Sequence, residues 1–287
     1  MNHAIEITGL SKHFDKFHLG EMNLTLPKGS IMGFIGENGA GKTTTIKLML
    51  NQLKKDSGII KIFDLDYKEN EKQIKENIGV VFDESYFHEN IKPKHISNIM
   101  NHVYQNWDEP LFYSYLKQFQ LPEDKIMKNF SRGMKMKLSI ATALSHHPKL
   151  LVLDEATSGL DPVIRNEILD IFLEFIQDEE HSILFSTHIT SDLEKIADYI
   201  TLIHQGKIIF SESKDDLLYD YGLLLCGISD FDKIDPSDII GHRENRFGHE
   251  VLVKNKEEKK LKYKGFTIDQ ISIEDIMLFY IKGGNKQ

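Results

Sequence analysis

The residues Gly36, Glu37, Asn38, Gly39, Ala40, Gly41, Lys42 and Thr43 set two glycines, a lysine and a hydroxyl at the spacing Gly-x-x-x-x-Gly-Lys-Thr. An unbroken apolar run, Ile31–Ile35, precedes them, and a helix-like run beginning at Thr44 follows. A strand that passes through glycines into a helix aims unpaired backbone N–H groups and the positive end of a helix dipole at one point, which suits an anion. There Lys42 reaches the outer phosphates of a nucleoside triphosphate, and the Thr43 hydroxyl can ligate Mg²⁺. The bland alternative is a glycine turn before an ordinary cationic helix. Strand, loop and helix in the order the motif needs argue against it.

A second group is Leu150–Leu153 followed by Asp154 and Glu155. Four apolar residues predict a buried strand, and both carboxylates leave its C-terminal end, where open α/β sheets place ligands. In that position Asp154 would hold Mg²⁺ through water and Glu155 would polarise an attacking water. Two further features have bland readings when taken singly. Ser131-Arg132-Gly133 opens a helix-like run ending near Ser145. Its hydroxyl and N–H groups could meet a phosphate or merely cap the helix. His188 follows the apolar run Ile183–Phe185, where it could reach a γ-phosphate or sit satisfied at a strand end.

The elements that must position these groups follow from patterning. The 287 residues suffice for one large domain or for one domain plus a smaller appendage. Residues 1–35 read as short strands and turns, and Ile59–Phe63 as another strand. From about 84 to 145 apolar residues recur at helical spacing (Ile96, Ile99, Met100, Val103; then Leu111, Phe112, Tyr115, Leu116), which predicts an inserted helical subdomain. Strands at Leu150–Leu153, Ile183–Ser186 and Tyr199–Ile203 alternate with helices at about 163–177 and 190–197. That alternation argues for a mostly parallel sheet covered on both faces. Residues 216–287 read as a small α+β extension, with the charged run Lys254–Lys260 as a solvated hairpin tip and Ser272–Ile281 as a final amphipathic segment.

The formal charge of −9 and pI near 5.8 argue against a broad basic face for nucleic acid. The one cysteine, Cys226, permits no internal disulfide, and a reducing cytosol is expected. No signal peptide is expected at MNHAIEITGL, and the apolar runs are far too short to cross a bilayer. Any membrane work would need spanning helices from another chain.

Taken in order, the phosphate loop, Ser-Arg-Gly-Met (Ser131–Met134), Leu-Leu-Val-Leu-Asp-Glu (Leu150–Glu155), Ser-Gly-Leu-Asp (Ser158–Asp161) and Ser-Thr-His (Ser186–His188) resemble the ATP-binding subunits of ABC transporters. The resemblance covers about residues 3–212. It implies an α/β fold with a P-loop NTPase core, an antiparallel β subdomain and the inserted helical subdomain. It divides the chain into an ATP-binding domain, 1–215, and an accessory extension, 216–287. By the same resemblance Phe14 stacks on adenine, and Gly36–Thr44 bind the phosphates. Ser131 and Gly133 close on the γ-phosphate of ATP held by an opposing subunit, Asp161 links the two sites, and His188 is a switch histidine. ATP and Mg²⁺ are the implied cofactors. The implied partners are a second ATP-binding subunit and a polytopic membrane subunit at the inner face of the cell membrane.

Phe82-Asp83-Glu84, Asn106-Trp107-Asp108 and Ser-Arg-Gly-Met-Lys are similar to an exporter-type group that includes subunits for bacitracin-type resistance and amphipathic peptide export. In the family the neighbourhood of Tyr86 and Phe87 docks the membrane subunit. One tandem-free cassette, one cysteine and no long heptads disfavour a ribosome- or DNA-directed ATPase, and the extension looks too short for a sugar-importer barrel. The chain departs from the family in three places. Asp83 stands where glutamine is usual, Arg132 where the first of two glycines is usual, and Met134 where glutamine is usual. A carboxylate at 83 can still coordinate Mg²⁺, so Asp83 joins Thr43 and Asp154 as a candidate metal ligand.

Overall fold

The computed structural model describes residues 3–84 and 87–282. The N-terminal part supplies β1 (His3–Phe14), β2 (Phe17–Pro27), β3 (Ile31–Ile35), α1 (Lys42–Met49), β4 (Ser57–Ile62), β5 (Leu65–Asp66), α2 (Tyr67–Glu76) and β6 (Ile78–Phe82). Helices α3 (Pro93–Val103), α4 (Glu109–Gln118) and α5 (Arg132–Leu144) follow. The chain then alternates through β7 (Leu150–Asp154), α6 (Pro162–Phe175), β8 (Ser182–Thr187), α7 (Thr190–Ile196), β9 (Tyr199–His204) and β10 (Lys207–Ser213). The remainder is α8 (Lys214–Asp220), β11 (Tyr221–Cys226), β12 (Gly241–Asn245), β13 (Gly248–Lys254), α9 (Lys256–Lys262), β14 (Thr267–Asp269) and α10 (Ile273–Lys282).

Among the described residues the strands form three sheets. The central one has the order β10-β9-β3-β8-β7-β6, parallel except for β10. Its strands β3, β7 and β8 are buried throughout, as the solid apolar runs predict for a sheet covered on both sides. The period of two divides their side chains between two cores. Ile31, Ile35, Leu151, Leu153 and Phe185 face the helices α3 to α7. Met32, Phe34, Leu150, Val152 and Leu184 face α1 and the antiparallel sheet β2-β1-β4-β5. The parallel strands end at one edge, so the segments after β3, β6, β7 and β8 emerge together.

The helices start where their caps dictate. Asp161 accepts from the N–H groups of Val163 and Ile164, with Pro162 in the first turn of α6. Ser131 accepts from Met134 N–H and opens α5. Helix α1 begins at Lys42, two residues before the expected Thr44, because Gly41 (φ 116°) turns the chain directly into it. The apolar spacing in α3 does mark a helix, yet only Ile96 of its four apolar residues is buried, and Ile99 and Val103 are exposed. Trp107 is buried against Phe112, and its indole N–H donates to Ser97.

Residues 221–269 form the third, antiparallel sheet, β12-β13-β11-β14, with a small core of its own around Leu224, Val251, Val253, Tyr263 and the buried Cys226. Helix α10 seats Ile276 and Phe279 in the main core. One expectation fails here. Lys254–Lys260 is no hairpin tip: Lys254 ends β13, Asn255 turns the chain in the left-handed region, and Lys256–Lys262 is helical. Acidic Glu257 and Glu258 in its first turn and Lys259, Lys260 and Lys262 in its last complement the helix dipole. Lys259 is buried in an ion pair with Asp238, 2.8 Å away, so the run is not wholly solvated. The apolar residues Leu261 and Tyr263 belong to the end of this helix and its cap.

Candidate nucleotide site

The edge where the parallel strands end holds a cavity of about 570 Å³, lined by Phe14, Phe17, Glu37–Gly39, Gly41–Thr44 and Glu155. Gly36 must be glycine, since a Cβ there would lie 2.3 Å from Ile203 O. This close approach lets the loop turn under the N-terminus of α1, whose first amides have no helical partner. Ala40 is buried beneath the loop, and Glu37, Asn38 and Gly39 are exposed above it.

Lys42 is almost fully buried. Its Nζ donates to Gly36 O at 2.7 Å and Glu37 O at 3.3 Å, and lies 3.5 Å from Glu155 Oε1. The loop thus holds its cation in place with carbonyl oxygens and one carboxylate. Thr43 Oγ1 donates to Asp154 Oδ2 at 2.8 Å. The other oxygen of Asp154, Oδ1, is buried without a hydrogen-bond partner among the described residues. Such an oxygen is costly unless something else satisfies it. A hydroxyl, a carboxylate and open space for water form the all-oxygen donor set that Mg²⁺ takes.

Glu155 lies in the left-handed region (φ 55°), unusual for a residue with a side chain, and its N–H is tied to Ser186 O at 2.8 Å. This turn separates the two neighbouring carboxylates: Asp154 points to Thr43 and Glu155 to His188, whose Nδ1 is 2.7 Å from Glu155 Oε2. Phe14 sits at the tight turn joining β1 to β2, 41% exposed, which is inconsistent with a core aromatic. Phe17 beside it lines the same cavity and packs within 3.0 Å of where a Cβ on Gly41 would stand.

The structure therefore brings together Phe14, Gly36–Thr44, Asp154, Glu155 and His188. It places Ser131, Gly133 and Asp161 elsewhere. Ser131 and Asp161 are exposed at the starts of α5 and α6, and Gly133 is buried against Ile164. Asp83 also faces away from the phosphate loop. Its carboxylate accepts from the guanidinium of Arg132 and lines a separate cavity with Phe87 and Lys135. Tyr86 lies outside the described residues. A larger cavity, about 680 Å³ between α2 and the end of α3, has none of the glycine-loop or carboxylate residues named above.

Three residues not evident in the sequence support the site. Asp192, completely buried in the first turn of α7, accepts from Thr157 Oγ1 at 2.7 Å and from Arg165 Nε at 2.5 Å. This ties the segment after Glu155 to both α6 and α7. Nothing local marks them, because Thr-Ser-Asp at a helix start reads as an ordinary N-terminus. Phe17 carried a weak signal, a second aromatic three residues after Phe14.

A protein-family model described as "ABC transporter" matches residues 19–158. The bacitracin transport ATP-binding protein BcrA of Bacillus licheniformis is 35% identical over 215 residues, covering 73% of this chain and 69% of its own. The lantibiotic transport ATP-binding protein SrtF of Streptococcus pyogenes is 34% identical, covering 74% of this chain and 91% of its own. A solved structure of an ATP-binding subunit of an ABC transporter superposes with a TM-score of 0.67 at 24% identity, covering 75% of this chain and 91% of that one. No helix among the described residues is long and apolar enough to cross a membrane.

Proposed function

This chain belongs to the ABC transporter family as an ATP-binding, ATP-hydrolysing subunit, and we propose that it works as one of two such subunits closing head to tail on ATP. The observation that carries the proposal is the division of the site. Phosphate loop, carboxylates and histidine converge around one cavity, while Ser131 and the N-terminus of α5 face outward, available to a second copy's nucleotide.

In the proposed cycle the triphosphate lies along the amides of Gly39–Thr44, and Lys42 Nζ exchanges Gly36 O for phosphate oxygens. Phe14 stacks on the adenine. Thr43 and Asp154 hold Mg²⁺, which supplies charge neutralisation at the outer phosphates. Glu155 orients a water and takes its proton as the water attacks the γ-phosphorus and the bond to the β-phosphate oxygen breaks. His188 fixes the Glu155 carboxylate. Ser131 and Gly133 of the opposite subunit close over the γ-phosphate, Asp161 lies at the joint, and loss of that phosphate opens the pair. The motion drives a separate polytopic membrane subunit at the inner membrane face. Export of an antimicrobial or amphipathic peptide agrees with the functions named for the bacitracin and lantibiotic relatives, and no nucleic acid takes part.

Glu155→Gln keeps the shape and removes the base. Hydrolysis should slow by about 10²–10⁴-fold, ATP should still bind, and sizing with ATP should show a pair of subunits. A variant that binds ATP and stays monomeric refutes the paired site. Recovery of ribosomes or DNA in place of a membrane protein from mild-detergent purification refutes the assigned partner.

A further inference from the structure

Asp83 and Arg132, two positions where the sequence reading differs from the family pattern, touch each other. Arg132, directly after Ser131, donates from Nη2 to Asp83 Oδ1. Its guanidinium also lies over Gly159, where a Cβ would stand 2.9 Å from Nη1 and 3.0 Å from Cζ, and Gly159 takes φ +66°. One side chain therefore spans the segment after β6, the segment after β7 and the start of α5. Phe82 pairs in register with Asp154, so Asp83 emerges one strand away from the Asp154 and Glu155 carboxylates. Left unpaired, it would add a third negative charge to that edge. Paired, it is neutralised and turned toward a different cavity from the one holding Lys42 and Thr43.

We propose that Asp83 serves the start of α5 rather than the metal, and that Arg132 is a positioning residue that holds Ser131 in place through Asp83 and Gly159. The inference rests on the paired-subunit reading above. A flexible arginine at an exposed helix start has no geometry of its own. Anchored to two segments of the sheet edge, it sets where the hydroxyl of Ser131 and the first amides of α5 stand. Arg132 and Asp83 are both about half exposed, so their bond is modest: such a pair is worth a factor of about three in an equilibrium. A closed pair of subunits holds two of them, so the loss should appear as about a tenfold change in association.

The test uses the full chain carrying Glu155→Gln as parent, with Asp83→Asn, Arg132→Ala and both together. Association with saturating ATP is measured by sedimentation equilibrium, and Mn²⁺ binding to the ATP-loaded subunit by paramagnetic resonance, with Thr43→Ala as the variant that must weaken it. Each single change should weaken association about tenfold, the double change no further, and Mn²⁺ affinity should stay within about twofold of the parent. A shift of Mn²⁺ affinity with Asp83→Asn overturns the proposal. So do single changes whose effects add in the double variant, or that leave association intact. Failure of the parent itself to associate with ATP would instead bring down the paired-subunit reading, and this inference with it.

Discussion

Removal of the Asp192 carboxylate is the sharpest test of how the site is held. Asp192 has no exposure, accepts one hydrogen bond from the buried Thr157 hydroxyl, and pairs with Arg165, whose side chain is 23% exposed. Removing one member of a fully buried ion pair costs about 3–5 kcal/mol, because the other charge is stranded. Water recovers part of that for Arg165, leaving about 2 kcal/mol. The orphaned Thr157 hydroxyl adds about 1 kcal/mol. Asp192→Ala should therefore destabilise by about 3 kcal/mol and lower the melting temperature by about 5 °C for a chain of this size. Asp192→Asn keeps an acceptor for Thr157 and should lose about half as much. Thermal and urea unfolding measure both. Adding Arg165→Met to Asp192→Ala should recover at least about 1 kcal/mol, since no buried charge is then unpaired. Because Thr157 lies two residues from Glu155, turnover below the melting temperature should fall severalfold while ATP binding is retained. An alanine variant within about 0.5 kcal/mol of wild type, or strict additivity with Arg165→Met, would refute the reasoning.

Two other predictions concern the nucleotide end and the β1–β4 edge. Phe14→Ala should weaken ATP binding by about 5- to 160-fold, the worth of about 1–3 kcal/mol of base stacking, and leave inorganic triphosphate binding unchanged. Equal loss for both ligands would exclude a stacking role. Hydrogen bonds from Lys12 Nζ and from His13 N–H hold the Asp56 carboxyl near pKa 2, below its ordinary value of 3.8. Its folded value is depressed, so its contribution is complete above the ordinary carboxylate range and is lost as pH falls through about 2. Lys12→Met should raise the Asp56 midpoint, read by carboxyl NMR, and an unmoved midpoint would contradict the assigned cause.

The phosphate loop and the strand carrying Asp154 and Glu155 were legible from local patterning. Their information is short-range: glycines permit one backbone path, apolar runs demand burial on both faces, and each functional residue sits at the end of the strand that carries it. The helices behind Ser131 and Asp161 were legible for the same reason, since caps act within three residues. Patterning was misleading where only distant neighbours decide. The Lys254–Lys260 run looks solvent-bound until Asp238 arrives from another segment to bury Lys259. Ile99 and Val103 repeat at core spacing, yet they lie on a helix face left exposed by the described residues.

The chain of residues in order thus specifies a nucleotide loop, its carboxylates and the element that bears each, because these depend on backbone paths a few residues long. Folding in three dimensions specifies which of them meet. It turns Asp83 to Arg132, 49 positions away, and locks the segment after Glu155 through Asp192 and Arg165. Pairings at such separations come from the order in which strands enter the sheet, and no window of local sequence records that order.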